Sequence, residues 1–404
     1  MRFRIMLFII LLGVAACTSE FEVQTPRTET PLPVFPSSSD TPPPVELSPT
    51  LAPYSPDTPS PPTIAAPLIE IPALIEVQFI TELDGWGVTE TGIARTTDGG
   101  ITWYDVTPPE MNATAYSVEA FFLDKGHAWV QKPDFQNFPN SGFLSRTSDG
   151  GLAWRTFTTP FSRGQINFLD ENNGWMLADL GVGAGSNAVA VYQTINGGAN
   201  WDLKYVNDPN HPDAGVSLPL GGLKTGIVPL NMQTAWVGGV VYSPGTAYLY
   251  RTDDGGRTWS QVNLDLPRGA ESFELSIGRM EFVTRNDGFL AVHMAGESLQ
   301  TAIYFTRDAG DTWTLTPTLI SNGRSSSFLS PEDAVLYSGE QFYVTRDAAR
   351  TWTNIRPNID FGESFTVMDF ANVLSGWVIT IDSESQHFLY RTTDGGATWF
   401  LVIP

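Results

Sequence analysis

Thr392 to Trp399 reads TTDGGATW, and the same phrase returns along the chain. Thr96 to Trp103 is TTDGGITW, Thr147 to Trp154 is TSDGGLAW, and Thr194 to Trp201 is TINGGANW. Thr252 to Trp259 is TDDGGRTW, Thr306 to Trp313 is TRDAGDTW, and Thr345 to Trp352 is TRDAARTW. The acidic or amide position falls at Asp98, Asp149, Asn196, Asp254, Asp308, Asp347 and Asp394, at intervals of 51, 47, 58, 54, 39 and 47 residues. A fixed phrase at such a period marks a repeat architecture. The residue types are those of a tight hairpin: the Asp carboxylate accepts backbone N–H groups, Gly permits positive φ, and Thr and Trp favour the flanking strands. Turn chemistry accounts for these aspartates, so they are expected to be structural rather than catalytic.

A second pattern precedes each phrase. Phe79, Phe122, Phe168, Phe282, Phe328 and Phe370 stand seven residues before Trp86, Trp129, Trp175, Phe289, Val335 and Trp377, and Pro229 takes the Phe position before Trp236. The pair frames a short turn, so Phe is expected to close one strand and Trp to open the next. All 12 tryptophans are then placed, seven in the phrases and five at strand two. Strand, turn, strand, strand, hairpin and strand make a four-stranded antiparallel unit. The expectation is an all-β chain whose residues 74–404 form a seven-bladed β-propeller.

The repeats resemble the Asp-box, or BNR, repeat of sialidases, sortilins and related propellers. Together with "NGW" and "RTTDGGATW" phrases, the pattern from Leu74 to Pro404 looks like the photosystem II assembly and stability factor family. That resemblance implies a non-enzymatic propeller that binds a partner protein during assembly.

The N-terminus carries a different message. Arg2 and Arg4 precede an apolar run, Ile5 to Leu12, too short to span a bilayer. Val14-Ala15-Ala16-Cys17 then looks like a bacterial lipobox, which implies a signal peptide over 1–16 and a lipid on Cys17. Export and anchoring on the extracytoplasmic side of a membrane follow. Cys17 is the only cysteine, which excludes an intramolecular disulfide. Residues 17–67 read as a linker: Pro26 to Pro67 holds 14 of the 30 prolines, and no glycine stands between Thr18 and Asp84. Such a composition cannot bury enough apolar surface to offset chain entropy. This segment is not part of that family's usual pattern.

A formal net charge of −22 argues against nucleic-acid partners. No phosphate loop, HExxH or GxSxG occurs, and no metal or cofactor is expected. Asp208, His211 and Asp213 in DPNHPDAG read as a polar loop.

Length variation points to the face that recognises something. Phe-to-Trp and Thr-to-Trp spacings are constant, whereas strand two to box Thr takes 10 to 19 residues and box Trp to the next Phe position takes 14 to 28. Variable loops on a rigid scaffold are where binding residues are placed. The two variable classes share one face, and Arg163, Arg268, Arg324 and Arg356, with Lys224, fall in its blade-to-blade connections. The arginines are candidates for an anion- or partner-binding patch. Carboxylates at Glu110, Asp265, Glu271, Asp360 and Glu363 share those loops. Arg95 and Arg391, just before box threonines, are expected to matter little to binding. A monomer with a protein or glycan partner is expected. The competing reading is an exo-acting, sialidase-like glycoside hydrolase. Against it, sialidases carry a Phe-Arg-Ile-Pro segment where this chain has Ala73-Leu74-Ile75-Glu76.

Overall fold

In the computed structural model, residues 65–109, 111 and 118–403 are described. Cys17, the signal, the linker to residue 64 and Glu110 lie outside them. Within the described residues the only helical turns are 3-10 segments at Ala270–Ser272 and Gly362–Ser364.

Strands pair with their sequence neighbours, antiparallel, in sets of four. The first set is Leu74–Phe79, Gly85–Thr89, Ile93–Thr96 and Trp103–Asp105. The last is Phe365–Phe370, Gly376–Ile381, His387–Thr392 and Phe400–Leu401. An eight-stranded sheet consists of two such sets joined by the single pair Val240↔Ser276. The first strand of each set is the inner one, and these inner strands surround a channel. The arrangement is a β-propeller. Ahead of the expected start at residue 74, Leu68–Ile69 adds a further strand outside Trp103–Asp105.

The Phe–Trp pair does close strand one and open strand two: Phe79 pairs with Gly85, Phe168 with Gly174 and Phe370 with Gly376. The Phe ring lies over that glycine. A Cβ on Gly376 would sit 2.5 Å from Phe370, which is why Gly so often precedes the Trp. Four strand-two aromatics then stack on the Phe of the neighbouring set, Trp236 meets Phe282 tilted at 34°, and Trp175 has no such partner because Pro229 holds the Phe position. Trp129 meets Phe168 at 3.8 Å, Trp86 meets Phe122 at 5.1 Å, and Phe289 meets Phe328 at 4.9 Å, all nearly parallel. Indole N–H groups add a bond across the same joints, Trp86 to Asp124 O, Trp129 to Gly197 O and Trp175 to Asn231 O.

The box hairpins follow one bonding scheme. The first Thr hydroxyl donates to the Asp Oδ1, as from Thr252 to Asp254 at 2.8 Å, and accepts the N–H of the second Gly position, Gly256 at 2.9 Å. Asp254 Oδ1 also accepts the Thr258 N–H, and its Oδ2 accepts the Thr258 hydroxyl at 2.6 Å. Asn196 lacks a second carboxylate oxygen, and the residue that would use it is Asn200, whose N–H bonds Asn196 Oδ1. Ala309, Ala348 and Ala349 hold the glycine positions at φ of 60°, 59° and 61°, so these two boxes carry backbone strain that glycine avoids.

The ring closes without exchanging a strand between its ends. The first and last sets meet through side chains: Phe79 stacks on Trp377 at 3.5 Å, and Trp377 Nε1 donates to Gly99 O at 3.0 Å. The Phe79 N–H donates to Asp369 Oδ2 at 2.6 Å, and His387 Nδ1 lies 2.7 Å from Leu74 O.

Candidate functional site

Two features are candidates: the variable-loop face and the channel it opens into. The channel, about 840 Å³, is lined by alternate residues of the inner strands. Val77 and Phe79 are buried between blades, so Glu76 and Gln78 turn to the channel. The same alternation sets Gln165 and Arg279 three residues before their Phe, and Asn167, Glu281, Ser327 and Asp369 one residue before; Glu119, at the equivalent position, lines a separate cavity that shares Gln165. The sequence reading stopped at the Phe and missed these residues. The period-two pattern running back from it is the signal that locates them.

Several of these side chains bond the next blade. Gln78 Nε2 donates to Phe122 O at 3.0 Å and Asn167 Nδ2 to Ile227 O at 2.9 Å, while Gln165 Oε1 accepts the Ile227 N–H at 2.6 Å. Arg279 donates to Ser326 O at 3.2 Å and pairs with Glu281 at 2.9 Å. The carboxyls have less support. Burial pushes Glu119 up to about 7, helped by the charge on Glu76, and Glu76 itself is pushed up by desolvation. Burial also pushes Asp369 up to about 6, against the Phe79 N–H and the charge of Arg279.

These shifts set a pH dependence. Asp369 and Glu119 hold protons more tightly folded than at their ordinary values of 3.8 and 4.5. Their penalty is full above about pH 7 and fades as pH falls toward about 4, so stability rises over that window. The box carboxylates act oppositely. Bonds from the Thr351 hydroxyl and N–H hold Asp347 below its ordinary value, and comparable bonds overcome partial desolvation at Asp254, Asp308 and Asp394. Their contribution is lost below about pH 4. The urea midpoint is expected to rise from pH 8 to pH 5 and to fall again by pH 3. A steady fall from pH 8 to pH 5 would contradict the channel assignment.

The loop-face cations separate in their surroundings. Arg163 pairs with Asp179 at 2.6 Å and lies over the Phe138 ring. Arg324 reaches Glu363 at 3.4 Å and shares a cavity of about 170 Å³ with Arg279 and His293. Arg356 lines a different cavity, of about 640 Å³, with Glu340 and Asp360. Arg268 is exposed. Lys224 is not a surface cation: it is 7% exposed, and its ammonium donates to the carbonyls of Leu220, Asn187 and Gly222 at 2.6, 3.0 and 3.1 Å. Burial pushes it down to about 8. The Asp208 loop bonds itself, through Asn210 to Asp208 and the Asp213 N–H to His211. Exposed apolar side chains join the variable face at Phe135, Val182, Val216 and Tyr242, although Leu83, Ile101 and Ile195 are exposed on the box face too.

Arg95 departs from expectation. It is 3% exposed, stacks over Trp86 at 4.9 Å, and donates to Gly85 O, Thr96 O, Asp84 and Lys125 O. Arg146 and Arg251 likewise reach the box of the next blade, and Arg391 reaches Glu82 O of the first. An arginine before the box Thr is therefore a joint between blades, and its reversal is not a neutral control for binding.

No family model matches the sequence, and no curated protein sequence does. Among solved structures, the chain is similar over 83% of its length to YCF48 bound to a D1 peptide, at 17% identity and a TM-score of 0.50, covering 99% of that chain. YCF48 from Cyanidioschyzon merolae is similar at 18% identity and a TM-score of 0.50, over 82% of this chain and 96% of that one. A GH74 xyloglucanase from Xanthomonas campestris is similar at 13% identity and a TM-score of 0.55, over 83% of this chain but only 55% of the enzyme. Identity at this level shows the fold, a β-propeller like that of YCF48.

Proposed function

We propose that this chain is an exported lipoprotein whose seven-bladed Asp-box propeller binds a partner through its variable-loop face, as a scaffold without catalysis. In this reading residues 1–16 are removed, Cys17 carries the lipid, residues 17–67 form a linker, and residues 74–404 form the ring. The observation that carries it is where the repeated side chains go. Box aspartates, strand-two tryptophans, inner phenylalanines and pre-box arginines all bond or stack within and between blades. Recognition then falls to the loops that differ. A YCF48 propeller, similar over nearly its whole length, is known with a D1 peptide bound, which supports a protein segment as the partner.

The likeness to a xyloglucanase, together with Glu119 and Asp179 lining one cavity of about 330 Å³, is what a hydrolase reading would draw on. Turnover of aryl glycosides or xyloglucan, abolished by Glu119→Gln, would replace the scaffold reading.

Two outcomes are expected. Cys17→Ser should release the protein from the membrane fraction; a variant that stays bound and keeps its signal would refute lipidation. Once a partner is in hand, Arg268→Glu with Arg356→Glu should slow association by about tenfold or more at low salt, with the effect shrinking as salt is added. An unchanged association rate would remove these arginines from the interface.

A further inference from the structure

The longest strand pair of the ring leaves one of its edges uncovered. Gly174–Gly183 and Ser186–Thr194 run together to a two-residue turn, Ala184-Gly185, on the variable-loop face. The inner strand Gly164–Phe168 follows the first of them only as far as the pair Gly164↔Ala178. The Asp179 N–H still reaches Arg163 O at 3.0 Å. Beyond that point the chain leading into the inner strand lies against the preceding blade, where the Ser162 N–H donates to Pro139 O at 2.9 Å. The two edges of the protruding tip therefore differ. Val182 and Asn187 stand opposite each other. Asn187 turns both main-chain groups outward: its N–H donates to Gly222 O at 3.3 Å, and its C=O accepts the Lys224 ammonium at 3.0 Å. Opposite residues of an antiparallel pair either bond each other or both face away. The Val182 N–H and C=O thus point to the other edge, along which no strand runs among the described residues.

A second observation concerns the glycines on either side of Val182. A Cβ added to Gly181 or Gly183 would meet nothing within 4 Å. Gly181 has a φ of 133° and sits in a bulge. Gly183 lies outside the left-handed region, so neither space nor conformation asks for glycine there. What glycine leaves at 183 is bare main chain, as where another backbone comes close. Exposed apolar side chains stand nearby. Val182 is 66% exposed and Tyr242 60%, and the Tyr242 ring lies 3.2 Å from the Cβ position of Gly185 in the turn.

An unpaired strand edge is a template for another strand. We propose that the partner contributes an extended peptide segment that adds to the Val182 edge, in the line of Gly164–Phe168 and antiparallel to Gly174–Gly183. One residue of the segment exchanges two hydrogen bonds with Val182, and its apolar side chain lies beside that of Val182. Main-chain pairing supplies the direction and register, and the flanking side chains select the sequence. The inference rests on the reading of the variable-loop face as the recognising one, and gives it a place and a mode of contact.

The test uses short peptides selected by phage display on the detergent-solubilised full chain, then synthesised and titrated by fluorescence anisotropy. Val182→Pro removes an N–H that the fold does not use, and should weaken binding by about tenfold or more. Val182→Thr keeps that N–H and should stay within about threefold. Methylating the peptide nitrogens one at a time should find an intolerant position with tolerant neighbours on both sides, since successive residues of a strand face opposite edges. If Val182→Pro disturbs the hairpin, the methylation scan, made against the wild-type chain, decides. Equal binding by Val182→Pro and wild type, or methylation tolerated throughout, would overturn the proposal. If such binding is still lost in Arg268→Glu with Arg356→Glu, only the edge assignment falls and the face reading stands. Selection of no saturable peptide, or a glycan bound in a Val182→Pro-sensitive way in its place, would also overturn it; the face is then judged separately by crosslinking in the envelope.

Discussion

Replacing Trp377 with alanine is expected to destabilise the protein by about 4 kcal/mol, within the range for emptying a large buried aromatic site. Trp377 is fully buried, stacks on Phe79 at 3.5 Å and donates to Gly99 O at 3.0 Å. It stands where the two ends of the ring meet. Every other joint is also crossed by the chain itself, whereas this one is held only by side-chain packing and a few bonds. The loss should therefore leave the ring free to open between Leu74–Phe79 and Phe365–Phe370, and unfolding in urea should become less cooperative. Trp377→Phe, which keeps the stack and loses the N–H bond, should cost about 1–2 kcal/mol. A loss below about 1 kcal/mol for the alanine variant would mean the ring does not depend on this joint.

Arg95→Met is expected to cost about 3 kcal/mol, because it strands Asp84, two buried carbonyls and a partly buried third. The guanidinium bonds Gly85 O at 2.8 Å, Thr96 O at 2.7 Å, Asp84 at 2.9 Å and Lys125 O at 3.1 Å. The last of these belongs to the next blade. Arg268→Met, on an exposed loop, should stay within about 0.5 kcal/mol of wild type. Thermal or urea unfolding of the two variants side by side checks the contrast. Equal effects would contradict the reading of the pre-box arginine as a joint.

The architecture was legible because it repeats. The Thr…Asp…Trp phrase and the Phe–Trp spacing each report a local geometry, and local geometry is what a single sequence encodes most directly. The strands begin and end where those residues stand, as at Phe79 and Thr96. What the residues touch across a joint was not legible. Trp86 and Trp377 were placed on strand two, but their partners Phe122 and Phe79 lie in other repeats. Arg95 looked like a surface charge because its acceptors are mostly carbonyls, which no sequence pattern displays. Lys224 misled in the same way, since the loop that cages it is itself one of the variable ones. The channel residues escaped because the inner strands are only four to nine residues long and a register shift breaks the alternation in the two longest, Leu223–Pro229 and Glu274–Phe282.

The claim that the variable-loop face does the recognising is tested most directly by site-specific photo-crosslinking in the native envelope. A photoreactive residue at Tyr242 or Arg268 should yield one shared adduct, lost when Arg268 or Arg356 is reversed in the Tyr242 probe. The same probe at Leu83 or Ile195, exposed on the box face, should yield none. An adduct formed from Leu83 or Ile195 but absent from Tyr242 and Arg268 would contradict the account.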